Sequence, residues 1–172
     1  MVRLLRHKWG ILVLLSFVTA RALLAQTVEV KSDCLFVNSK KLTNSTTSRE
    51  LQDILGKPDR TFSKVYTIWT YDDRGLRIYL SPKTLLVHSF EFDLVKDELD
   101  FSPKKIFHGV FTINNHSIAK TTSTEDLSKI KDIDFHHSAL DLYTATTAYL
   151  TLTFEISDDN HQIQNVALSF KE

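Results

Sequence analysis

A single shift of 76 residues lays the middle of this chain onto its own continuation, and no other feature constrains the fold as tightly. Phe36-Val37-Asn38-Ser39-Lys40-Lys41-Leu42 returns in character as Thr112-Ile113-Asn114-Asn115-His116-Ser117-Ile118. With that shift Asn38, Thr46, Leu51 and Ile54 fall on the identical Asn114, Thr122, Leu127 and Ile130, and Val37, Leu42 and Glu50 on the similar Ile113, Ile118 and Asp126. A chain written this way predicts one small unit built twice.

Within each copy an apolar, β-branched run meets a polar turn and a second short run, the pattern of a hairpin. Thr47-Ser48-Arg49-Glu50 and its counterpart Ser123-Thr124-Glu125-Asp126 then read as capping boxes, in which a hydroxyl accepts from a free helix N–H and a carboxylate reaches back. Leu51, Ile54 and Leu55 form one apolar stripe of a short helix, which Gly56 and Pro58 end. The period then changes to two. Val65–Tyr71 and Leu76–Leu80 flank the turn-rich Asp72-Asp73-Arg74-Gly75, and Leu85–Leu94 supplies a further strand. In the second copy Tyr149–Ile156 and Ile163–Phe170 flank Ser157-Asp158-Asp159-Asn160. The expected fold class is therefore α+β: two tandem helix-on-antiparallel-sheet units, residues 26–95 and 109–172, joined by a charged linker over 96–108 that carries Pro103. A unit of about 60 residues buries only about 60% of its surface, so the two are expected to share an interface or a continuous sheet.

Pairing Tyr71 with Leu76 across the turn fixes the faces. Thr67, Trp69 and Tyr71 share a side with Leu76, Ile78 and Leu80 and are expected to cover the helix, whereas Tyr66, Ile68, Thr70, Arg77 and Tyr79 face outward, joined by Glu91 and Asp93 if the register continues. Tyr149 is the corresponding outward residue of the second unit. Tyrosine and arginine anchor protein interfaces, so Tyr66, Ile68, Arg77, Tyr79 and Tyr149 are the candidate binding residues.

Residues 1–25 read as a secretory signal peptide: Arg3, Arg6 and Lys8 precede the apolar run Ile11–Val18, which is too short to span a bilayer with margin. Cleavage fits after Ala22 or after Ala25, and Ala25 is favoured because Leu23 is large for its position; an uncleaved anchor is the alternative. Removing this segment takes away Arg3, Arg6, Lys8 and Arg21, leaving 17 basic against 21 acidic side chains. A mildly acidic mature protein argues against nucleic-acid and anionic-lipid binding. The expected location is secreted or periplasmic, with no integral membrane insertion after cleavage.

Chemistry is sparsely signalled. Cys34 has no second cysteine to pair with and reads as a small, half-buried side chain at the head of a strand. His136 and His137 are adjacent and point to opposite faces if they lie on a strand, which does not make a zinc site with Asp132, Asp134 or His161. There is no G-x-S-x-G elbow, and Gly56, Gly75 and Gly109 serve turns or boundaries rather than a phosphate-cradling loop. Neither an enzyme, a metal nor a cofactor is expected.

Leu55-Gly56-Lys57-Pro58-Asp59 closing a capped helix, followed by Trp69-Thr70-Tyr71 and a strand hairpin, resembles the outer-membrane assembly lipoproteins of the SmpA/OmlA type. The tandem arrangement also resembles the secreted β-lactamase inhibitory protein, whose two helix-on-sheet units bind an enzyme with the open sheet face. Leu35–Leu80, with its LGKPDR and YDDxGL patterns, is similar to an uncharacterised bacterial domain. These resemblances imply architecture and a binding habit; the chain lacks the lipobox cysteine of the first family and the disulfides of the second. Together with the residues they imply a non-enzymatic module that binds an unidentified protein through an open sheet face. The alternative is a small molecule or lipid held in a cleft between the repeats.

Overall fold

A computed structural model describes residues 26–31 and 33–171; the expected signal peptide and its cleavage points lie outside the described residues. After β1 (Thr27–Lys31) come the hairpin β2 (Cys34–Val37) and β3 (Lys40–Leu42), helix α1 (Ser48–Leu55), and four strands, β4 (Arg60–Ser63), β5 (Thr67–Tyr71), β6 (Leu76–Leu80) and β7 (Val87–Asp93). The same order follows as β8 (Val110–Ile113), β9 (His116–Ile118), α2 (Thr124–Ser128), β10 (His136–Ala139), β11 (Leu142–Thr146), β12 (Leu150–Ile156) and β13 (Ile163–Phe170).

The strands do not form two helix-on-sheet units. They form a five-stranded sheet, β3-β2-β1-β8-β9, and an eight-stranded sheet, β10-β11-β12-β13-β7-β6-β5-β4. The α+β expectation is thus corrected: the molecule is predominantly strand and β-sandwich-like. The reason is one of size. Helix α1 has eight residues and buries Leu51 and Leu55; α2 has five and buries Leu127. Such short helices cannot cover a four-stranded meander, and each meander alone would leave an open edge. Strand β7 therefore pairs antiparallel with β13, from Ser89 opposite Ser169 to Asp93 opposite Asn165, and makes one sheet of both meanders. Strand β1 joins the hairpins, antiparallel to β2 and parallel to β8.

The hairpins take over the covering role assigned to the helices. Val28, Val30, Leu35, Val37, Phe111 and Ile113 belong to one core with Trp69, Tyr71, Ile78, Phe90, Phe92, Leu152, Phe154 and Leu168. Phe111 of the small sheet packs edge-on to Phe92 at 4.9 Å and stacks on Phe154 at 6.3 Å, contacts between the sheets. Both capping boxes form: Thr47 Oγ1 accepts from Glu50 N while Glu50 takes the Thr47 N–H, and Ser123 and Asp126 do the same. Among the described residues no helix is long and apolar enough to cross a membrane.

Candidate binding face

The pairing Tyr71↔Leu76 is present, with Trp69 opposite Ile78 and Arg77 opposite Glu91, so the outer face of the large sheet carries the residues expected there. It is not open throughout. Arg77 is 5% exposed, Ile68 6%, Thr70 0% and Asp93 3%. The segment expected as a linker lies over this end of the face. Thr70 Oγ1 donates to the Phe101 carbonyl at 3.0 Å, and Arg60 donates to the Asp100 carbonyl at 2.8 Å and the Ser102 carbonyl at 2.7 Å.

Arg77 explains why the chain folds over here. A guanidinium in mid-sheet must find partners or stay wet. Its Nη2 lies 2.6 Å from Asp93 Oδ1, Nη1 donates to Ser102 Oγ at 3.1 Å, Glu91 and Asp97 stand at 3.6 and 3.5 Å, and the group lies over the Phe101 ring. Asn165 Nδ2 donates to Asp93 Oδ1 from the neighbouring strand. Burial pushes the Asp93 and Glu91 carboxyls up, and outweighs the pull of Arg77. The arrangement holds a charge in place; it does not present one to a partner.

The motif residues behind the family resemblance form a clasp for the same segment. Arg60 grips Asp72 with Nη2 2.6 Å from Oδ1 and Nε 3.0 Å from Oδ2, and Asp72 Oδ1 also accepts from Lys104 N. Burial raises the Asp72 carboxyl, but Arg60 and Lys104 bring it below the usual carboxylate range. Gly75 takes φ +69, and a Cβ there would stand 2.2 Å from Phe107 N, so only glycine admits the chain at this point.

What remains accessible is an aromatic corner. Tyr66 stacks on His88 at 4.8 Å with planes 17° apart, and Tyr79 meets Tyr66 edge-on at 6.2 Å. All three are half-buried. Burial, followed by the charge of Glu91, raises the Tyr79 pKa. The register shifts between Tyr79 and Leu80, leaving His88 as the extra residue between Val87 and Ser89. That bulge sets His88 beside Tyr66. Sequence alternation alone did not single out His88, because a bulge is invisible in a period-two pattern. Beyond the corner the face continues as half-buried small residues, Ala167, Ser169, Thr151 and Thr153.

Tyr66, Ile68, Arg77 and Tyr79 are therefore neighbours on one face, Tyr66 and Tyr79 accessible and Ile68 and Arg77 beneath. Tyr149, 66% exposed, is elsewhere. It lines a groove of about 350 Å³ between the β2–β3 hairpin and the ends of β12 and β13, with Cys34, Leu42, Asn44, Phe170 and Lys171. Among the described residues no group of three or more His, Cys, Asp or Glu side chains converges to hold a metal ion.

A family description matches residues 27–128, more than half of the chain, from β1 through α2. The chain belongs to the family described as Domain of unknown function (DUF7738). The DUF7738 match takes in the clasp, the aromatic corner and the segment between β7 and β8. No curated protein matches. A solved structure of an extracellular protein containing a SCP domain, from Bacillus anthracis str. Ames, is similar at 10% identity and TM-score 0.49, over 73% of this chain and 43% of that one. The chain spans less than half the length of that structure.

Proposed function

We propose that this DUF7738 protein is an exported, non-enzymatic binding module, secreted or periplasmic once a leader is removed after Ala25, and that it engages another protein through the outer face of its eight-stranded sheet. The Tyr66–Tyr79–His88 corner carries the reading. Three half-buried rings share contacts at the margin of a row of small side chains, so they can lose their remaining water to a partner while their own geometry is already fixed. Arg77 and Glu91 act from beneath: Arg77 pairs with Glu91, and the Glu91 charge stands next to Tyr79. The shared 76-residue offset of hairpin, cap and strands supports a tandem origin for the two sets of elements.

A second reading is favoured by the groove at Tyr149. It lies between residues of the first set, Asp33–Ser45, and of the second, Tyr149, Phe170 and Lys171, the place expected for a small molecule or lipid. A crosslinking pull-down with the mature protein separates the two. Partner capture should be lost in Tyr66→Ala/Tyr79→Ala and kept in Tyr149→Ala; capture kept in the double variant overturns the sheet-face reading.

A further inference from the structure

We propose that the mature chain begins at Gln26 and that this residue closes to a pyroglutamyl lactam, so that β1 enters the sandwich behind an uncharged ring. The proposal rests on the export reading above for removal of the leader, and goes beyond it by assigning a covalent modification.

Gln26 stands immediately before β1 and is only 8% exposed, yet among the described residues neither its Nε2 nor its Oε1 has a hydrogen-bond partner. An unsatisfied amide at such depth is costly and calls for a chemical reason. The residue is held firmly from both sides. Its carbonyl accepts from Val110 N at 2.8 Å, and the next N–H, of Thr27, donates to Asn38 Oδ1 at 3.2 Å. Gly109 packs so closely that a Cβ on it would stand 2.2 Å from the Gln26 carbonyl oxygen and 2.4 Å from the ring of the buried Phe107. The head of β1 thus sits against β8 and an aromatic side chain.

Cleavage after Ala25 would add an ammonium to this buried residue. An α-amino group has an ordinary pKa of about 7.7–8.0 and is charged at neutral pH, and burying an unpaired charge costs more than burying an unpaired amide. Cyclisation removes both problems. The α-nitrogen, as the free amine, attacks the side-chain Cδ; the N–Cδ bond forms, the Cδ–Nε2 bond breaks, and Nε2 leaves as ammonia with the proton shed by the α-nitrogen. Nothing is oxidised or reduced, and no other reactant is consumed. The lactam keeps one N–H and one carbonyl where an ammonium and a primary amide stood. It presents a compact, neutral end to the site that Gly109 and Phe107 shape.

The test is intact-mass and N-terminal peptide analysis of the protein secreted from the full chain by an exporting bacterium. The expected mass is that of residues 26–172 less one ammonia, with a terminus closed to Edman degradation until pyroglutamyl aminopeptidase has acted on the N-terminal peptide, after which reading begins at Thr27. A chain that begins at Gln26 with an open amine and no loss of mass overturns the cyclisation and leaves the export reading standing. A chain that begins at Leu23 overturns the cyclisation and leaves the export reading standing with its cleavage point moved, whereas a chain recovered only with Met1 retained overturns both.

Discussion

Arg77 is the residue whose removal should be felt most. Truncating one partner of a buried ion pair leaves the other charged and unpaired, a cost of about 3–5 kcal/mol. Arg77→Ala strands Asp93, 3% exposed, with Glu91 beside it, and urea unfolding followed by tryptophan fluorescence should show a loss of that size. Arg77→Lys keeps the charge but not the fork that reaches Asp93 and Ser102 together, and should fall between. The carboxylates of this face carry opposite pH signatures. Asp93 and Glu91 are raised in the fold, so the folded state binds their protons more tightly, and the stability they contribute is present below the ordinary values of 3.8 and 4.5 and lost as pH rises through the folded values. Asp72 is lowered, so its contribution is present above 3.8 and lost as pH falls through the folded value. Asp72→Asn should therefore cost stability at neutral pH, and the difference from the wild type should shrink on acidification below 3.8; an urea series across pH measures it.

At the scale of elements, the caps and turns are local chemistry and the sheets are not. Thr47→Ala removes the acceptor of the Glu50 N–H and should destabilise by about 1 kcal/mol, read as a lower thermal midpoint with the far-UV spectrum retained. Both capping boxes and the Tyr71–Leu76 pairing were legible in the sequence because each is decided within a few residues. The hairpin turns were legible too: Asn38, Ser39, Asn114 and Asn115 all adopt positive φ, which asparagine tolerates. Strand β1 writes only a short signal, Val28 and Val30 alternating with polar neighbours, and nothing local says that such a strand will lie between hairpins 76 residues apart. Strand β10 is exposed along its length and writes no apolar pattern at all. The alternation puts Arg77 on the outer face, as the register does, but its burial is not readable in the sequence, because the covering residues Asp97–Ser102 have the composition of a solvated linker and only their contacts with Arg77 and Arg60 hold them down.

Helix-on-sheet units would each own a core; the described residues share one. Buried residues from β1 to β13 belong to a single cluster, and its central aromatic contacts, Phe92 with Phe111 and Phe111 with Phe154, join residues far apart in the chain. Separating the chain between β7 and β8 would expose the paired edges of β7 and β13, leave β1 without β8, and uncover Phe92 and Phe111 at once. Each half, at about 70 residues or fewer, lies in the range where a single core is marginal even when intact. The intact described region should therefore unfold in one transition, with near-UV and far-UV circular dichroism coincident in urea. Residues 26–95 and 109–172 expressed separately should each lack a near-UV spectrum and a cooperative melt, and mixing them with residues 96–108 attached to either should restore both. A monomeric 26–95 fragment that melts cooperatively by itself would mean that the first hairpin, α1 and meander already close a core, and that the shared sheets are an addition to stable units.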